Sequence, residues 1–283
     1  VWLDANMDGE LGLTLPAKTL TDMVNSLSEP EVVLSVNGKP EAALKCGAYK
    51  GVIKGVDASE FPAIPQFDVS SGISLDAGTL KDMIQKVAFA ASVDDSRPVL
   101  TGVQLMMDGN TLSMAATDGF RLAIRKTELP MTLPKKQLII PASALKEVVR
   151  ILGATKAGKV TLYLPPTGSQ VVLRCENVQI VSQLIDGKFP DYQMILPKGH
   201  KTRTVVNAGE LFKACKQAGI IAREGSNVVR FHLYPGPEQT GKVKLLAESD
   251  DTGASEIELD ATVEGQELEI AFNVKFLQDA LDA

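Results

Sequence analysis

The stretch LTLPAKTLTDMVNSL, residues 13–27, returns as LIIPASALKEVVRIL, residues 138–152. In both, a short apolar run meets a proline, and the residues after it carry a stripe: Leu20, Met23, Val24 and Leu27 in the first, Leu145, Val148, Val149 and Leu152 in the second. Spacing of i, i+3, i+4 and i+7 is one face of an amphipathic helix packed on an apolar surface. Proline gives up no needed N–H at a helix start, so the run before it reads as a strand that ends where the helix begins. This is unit A.

A second unit, B, alternates with it. LDAGTLKDMIQKVAFAA, residues 75–91, recurs as VNAGELFKACKQAGIIA, residues 206–222, with Asp76 and Asn207 where unit A has proline. Both are favoured N-caps. The stripes are Leu80, Met83, Ile84, Val87 and, with smaller side chains, Leu211, Ala214, Cys215, Ala218. Another A opens at IAFNVKFLQDALDA, residues 270–283, and Phe61-Pro62 returns as Phe189-Pro190, so the pair repeats about every 130 residues.

Between the helices lie alternating runs, Val103–Met106, Leu112–Ala115, Val160–Tyr163 and Val171–Arg174, separated by Asp-Gly, Pro-Pro and Gly turns. Such runs predict antiparallel strands. A strand, a helix and three strands per half-unit make an α+β fold with helices on one face of the sheet. The expected division is a partial first domain over 1–68, a complete middle domain over 69–198 and a partial third domain over 199–283. Three complete pairs need roughly 390 residues, so the 283 present are expected to be cut at both ends.

Composition narrows the chemistry. Apolar residues at 45% and charged residues at 23% are ordinary for a globular chain. No apolar run reaches the roughly 18 residues of a membrane span, and Asp4, Asp8 and Glu10 crowd the start, so the chain reads as cytoplasmic, without signal peptide or membrane contact. Cys46, Cys175 and Cys215 lack CxxC spacing and read as reduced core thiols. His200 and His232 are the only histidines, and neither has a triad or metal-ligand spacing, so no catalytic group, metal or cofactor is expected.

Three local patterns carry possible sites. Gly153 to Val160 follows GxxxxGK, but Val160 stands where a P-loop needs Ser or Thr, and the segment follows a helix instead of preceding one. It reads as a turn, with a nucleotide hydrolase as the remote alternative. Ala116-Thr117-Asp118-Gly119-Phe120-Arg121-Leu122-Ala123 reads as a hairpin. Asp186-Gly187-Lys188-Phe189-Pro190-Asp191-Tyr192 reads as a structural plug ending its unit.

The charge of -6 argues against a general nucleic-acid coat, yet on the helices the basic residues Lys18, Lys81, Lys86, Lys146, Arg150, Lys213, Lys216 and Arg223 outnumber the acidic Asp22, Asp82, Glu147, Glu210 and Glu224. A cationic helical layer attracts phosphates without reading bases. A solvated face of mixed charge is the alternative.

With these residues assembled, the chain resembles the bacterial DNA polymerase III beta subunits, the sliding clamps. The resemblance rests on Ser96-Arg97-Pro98-Val99-Leu100-Thr101-Gly102-Val103, on Ala116 to Ala123 and on Leu184 to Tyr192, together with the repeat order. It implies three similar domains per subunit and a head-to-tail homodimeric ring, helices inward, around duplex DNA. It implies a processivity factor, without chemistry of its own, that docks the polymerase III catalytic subunit, the clamp loader and other clamp-binding proteins. It further implies an apolar peptide pocket at Leu100, Thr117, Gly119, Phe120, Arg121, Leu122, Pro190, Met194 and Ile195, with Arg121 along the rim. Phe120 stands where the family often has His and Met194 where it often has Arg, and both make the rim less polar.

DNA contacts are expected at Lys81, Lys86, Lys146, Arg150, Lys213 and Lys216, with Arg97 on a neighbouring loop. Ile220 and Ile221, consecutive apolar residues beside Arg223 and Glu224, are expected in the subunit interface. The competing class is a repeat-built protein scaffold that binds partners without DNA.

Overall fold

The computed structural model describes residues 5–9, 12–61, 72–165 and 168–283. The chain divides into two compact units, Val1–Asp68 and Val69–Ala283.

In the first unit, β1(Leu13–Thr14) pairs with β5(Val56–Asp57), and β2(Val33–Val36), β3(Glu41–Cys46) and β4(Tyr49–Lys54) form an antiparallel sheet. Helix α1(Ala17–Asn25) starts after Pro16 as expected, and the Met23 methyl lies over Gly51 of β4, where a Cβ would come within 2.9 Å of it. The stripe is only partly covered: Leu20, Met23 and Leu27 are half-buried and Val24 is exposed. Phe61 is exposed, and its neighbour Pro62 lies outside the described residues.

The second unit opens with β6(Ile73–Asp76) and α2(Ala77–Ala88), then β7(Gly102–Thr117), β8(Leu122–Pro141), α3(Ala142–Ala154), β9(Lys159–Tyr163), β10(Gln170–Cys175) and β11(Val178–Gln183). Asp76 caps α2 by accepting from the Thr79 amide at 2.7 Å, and Pro141 precedes α3. Leu80, Met83, Ile84 and Val87 of α2 are buried with Leu145, Val148 and Leu152 of α3 in one core, so two amphipathic faces close over the strands. Each such side chain contributes about 1.5–3 kcal/mol by leaving water.

Strands β6, β9, β10 and β11 form one antiparallel sheet, while β7 and β8 form a ladder of their own. Strand β7 doubles back at Asp108-Gly109: Gly109 takes φ +59, and Ser113 Oγ donates to the Met106 carbonyl seven residues back at 3.5 Å. A straight strand rising about 3.3 Å per residue cannot close that distance. The predicted Asp-Gly turn is therefore present, within a continuous strand. Strand β8 is irregular opposite it, between Glu128 and Leu133.

The remainder repeats the pattern: β12(Thr202–Val205), α4(Ala208–Ala222), β13(Val228–Pro235), β14(Thr240–Ser249), β15(Gly253–Gly265), β16(Leu268–Asn273) and α5(Val274–Asp282), with sheet order β12-β15-β14-β13-β16. Asn207 caps α4 and Asn273 caps α5. Val229, Phe231, Val243, Leu245 and Ala247 face a second core with Ala214, Cys215 and Ala218 of α4. Their neighbours face outward and pair across strands, Lys242 with Glu258 and Lys244 with Glu256. Helix α5 packs on α4, where Gln278 Nε2 donates to the Cys215 carbonyl at 2.9 Å.

Candidate functional site

The turn between β7 and β8 is closed by its own side chains. Thr117 Oγ1 donates to the Arg121 carbonyl at 2.6 Å and accepts from the Gly119 amide at 3.0 Å. Asp118 Oδ1 accepts from the amides of Phe120 at 2.9 Å and Arg121 at 3.0 Å, and Asp118 Oδ2 accepts from Arg121 Nε at 3.0 Å. Gly119 takes φ +95, a backbone conformation that calls for glycine, and the mobile end of Arg97 lies beside it, with Nη1 3.2 Å from where a Cβ would stand. Phe120 is left at the tip, 82% exposed.

A second segment comes back beside this turn. Ile185 donates its amide to the Ile139 carbonyl at 2.9 Å, and Gly187, at φ +137, leaves room for Val99. Phe189 and Tyr192 are buried with Ala115 and Ile139 in a small cluster against which Val99, Leu122, Ile124 and Ile185 pack. Burial pushes the Tyr192 phenol above its ordinary pKa, and the Asp191 charge adds to the effect. Phe189 is thus a plug, and Leu122 is the point where the two segments touch. Beyond the plug, Met194 and Ile195 are exposed at 83% and 72%. Leu100 is half-buried and Pro190 exposed.

Arg121 does not lie along a rim. Its side chain is only 19% exposed, with Nη1 2.5 Å from Asp279 Oδ2 and Nη2 donating to the Phe89 carbonyl at 2.9 Å. The guanidinium sits 4.5 Å over the Phe276 ring and 5.4 Å from that of Phe89. Two carboxylates and a carbonyl draw it inward, and the aromatic faces hold it there. Phe276 also lies 6.5 Å from Phe120. Sequence reasoning missed Phe89, Phe276 and Asp279. The signal available was the i, i+3 placement of Phe276 and Asp279 on α5, which says that they share a face but not what that face meets.

The predicted DNA-contact cations differ in their freedom. Lys86 pairs with Asp82 at 2.7 Å, Arg150 with Glu147 at 2.5 Å and Arg97 with Asp94 at 3.7 Å. Hydrogen bonding to Arg150 holds the Glu147 carboxyl below its usual range. Lys216 Nζ stands 4.2 Å over the Phe212 ring. Lys146 and Lys213 are exposed, and Lys81 Nζ reaches the last turn of α3, within 4.0 Å of a Cβ placed on Gly153, where the helix dipole favours a cation. The expected interface pair splits: Ile220 is 61% exposed, whereas Ile221 packs on the core beneath α4.

Gly153 to Val160 connects the end of α3 to β9, and the Gly158 carbonyl accepts from the Ala77 amide at 3.1 Å. A helix C-terminus offers carbonyls to this segment, which repel phosphate. Cys46, Cys175 and Cys215 are free and buried, and burial pushes the Cys215 thiol up to about 11. Among the described residues no group of three or more His, Cys, Asp or Glu side chains could hold a metal ion, and no helix is long and apolar enough to cross a membrane.

Residues 74–191 match the family model of the DNA polymerase III beta subunit central domain, and residues 193–283 match that of its C-terminal domain. The beta sliding clamps of Staphylococcus aureus and Staphylococcus epidermidis are each 33% identical over 272 residues, spanning 96% of this chain and 70% of theirs. Among solved structures, the DNA polymerase III beta subunit of Thermotoga maritima superposes with a TM-score of 0.85 at 30% identity, covering 98% of this chain and 73% of that one. The DNA polymerase sliding clamp of Bacillus subtilis gives 0.82 at 30%, covering 95% and 70%.

Proposed function

Because the chain belongs to the bacterial DNA polymerase III beta-subunit family, the beta sliding clamps, we propose that it encircles duplex DNA as a homodimeric ring and docks its partners through the segments 117–122 and 190–195. Its function is that of a polymerase processivity factor, an accessory role and not a catalytic one. The observation that carries this is the coincidence of the two matched family domains with the repeated unit of helices on antiparallel sheet. The polymerase III catalytic subunit, the clamp loader and other clamp-binding proteins are the proposed partners, met in the cytoplasm. The proposed domain division is 1–68, 69–198 and 199–283.

The ring reading rests on self-association. The intact protein is expected to have the mass of a dimer and to stay on nicked circular DNA until the circle is cut. Ile220→Lys places a charge on an exposed apolar position of α4, so it should leave the fold intact, shift the mass toward a monomer and abolish retention on the circle. Release that is as fast from circles as from linear DNA would favour the DNA-independent scaffold.

For docking, Leu100, Thr117, Gly119, Phe120, Arg121, Leu122, Pro190, Met194 and Ile195 are the proposed site. Phe120, Met194 and Ile195 are its anchors, because their apolar surface is free while Leu122 is committed to the Phe189 and Tyr192 cluster. Titration with an apolar-aromatic peptide of the Gln-Leu-x-Leu-Phe type should show Met194→Ala and Ile195→Ala each weakening binding by about 1–2 kcal/mol. Unchanged affinity in both variants, with the melting temperature preserved, removes these segments from the docking surface.

A further inference from the structure

Each of the three nitrogens of the Arg121 guanidinium already donates one hydrogen bond within the protein. Nε is spent on Asp118, Nη1 on Asp279 and Nη2 on the Phe89 carbonyl, and Phe276 covers a face at 4.5 Å. Its contacts run in a line. Asp118 takes Arg121 Nε on one oxygen and, on the other, the amides of Phe120 and Arg121 that shape the turn. Asp279 lies 158 residues further along the chain, on α5, and its carboxylate fixes the far end of the guanidinium. The Phe120 ring, the most exposed part of the turn, lies 6.5 Å from Phe276, one helical turn from Asp279 on α5.

We infer that Asp279 is a positioning residue for the docking site: through Arg121 and Asp118 it holds the 117–122 turn in one geometry, so that α5 sets how Phe120 is presented to a partner peptide. The inference rests on the docking proposal above. Within that site Arg121 acts as a strut between two elements. Asp279 is the replaceable end of that strut, since its side chain is 47% exposed and removing it leaves no buried charge.

The test uses the whole chain, with amide hydrogen exchange read at Phe120 and Arg121 and with titration of the same apolar-aromatic peptide. In Asp279→Ala these two amides should exchange about fivefold faster or more, and the peptide Kd should rise about three- to tenfold, with the melting temperature held. Asp279→Glu should restore both readouts, and Asp282→Ala, one turn further along the same face of α5 and not among the partners of Arg121, should change neither. Arg121→Gln combined with Asp279→Ala should be no worse for the peptide than Arg121→Gln alone. Unchanged exchange in Asp279→Ala overturns the inference, as does faster exchange with unchanged Kd, or losses that multiply in the double variant. If Met194→Ala and Ile195→Ala leave Kd unchanged while Asp279→Ala still quickens exchange, the strut is real and the docking assignment is what fails.

Discussion

Arg121→Ala is expected to destabilise the unit spanning residues 69–283 by about 2–4 kcal/mol, read as a lower urea midpoint at unchanged slope. The magnitude comes from what the substitution leaves behind. Asp118 is only 14% exposed at its side chain and would lose the Arg121 cation, while the Phe89 carbonyl would lose its side-chain donor. Breaking a largely buried pair costs more than the pair contributes when intact, because the remaining charge stays desolvated. Arg121→Lys should recover only part of the loss. An ammonium can answer one carboxylate, but it cannot reach Asp118, Asp279 and the Phe89 carbonyl together as a planar fork does. Asp279→Ala, by contrast, should cost under about 1 kcal/mol, since water already reaches that partner. A loss for Arg121→Ala as small as that for Asp279→Ala would mean that the guanidinium packs without holding anything.

Arg121 also shows where sequence reading reaches its limit. The helices were legible because their stripes state which face is covered: Leu80, Met83, Ile84 and Val87 are all buried as the spacing requires. The hairpin at Thr117 to Leu122 was legible from alternation and an Asp-Gly pair. Neither pattern says what a polar side chain at the tip will find 158 residues away, because periodicity encodes faces and not partners. The same limit explains α1, whose stripe asks for cover that Val24 does not receive in the described residues. It explains Ile220 and Ile221 as well. Two neighbouring apolar residues on a helix point about 100° apart, so Ile220 faces solvent while Ile221 packs on the core beneath α4. The ion pairs within helices are a different case. Lys86 with Asp82 and Arg150 with Glu147 sit at i, i+4 and i, i+3, where spacing alone announces contact.

Those pairs set the salt dependence expected of DNA binding. Seven cations are proposed to meet phosphates, but Lys86, Arg150 and Arg97 already have carboxylates beside them. Among the described residues, Lys81, Lys146, Lys213 and Lys216 have none. A cation that must first leave a carboxylate gains little from a phosphate, so about four contacts, not seven, should release counterions. The slope of log K against log salt is then about −3 to −4, and affinity should fall about a hundredfold between 50 and 200 mM salt, with little dependence on DNA sequence. The ion pairs allow a sharper test than the slope itself. Glu147→Gln removes the partner of Arg150 without touching a cation, so it should tighten binding at low salt and steepen the slope by about one. Arg150→Gln in the otherwise unchanged protein should barely alter it, because that charge is already spent. A flat salt response, or a Glu147→Gln slope identical to that of the parent, would remove the α2, α3 and α4 cations from the DNA path and return them to an ordinary solvated surface.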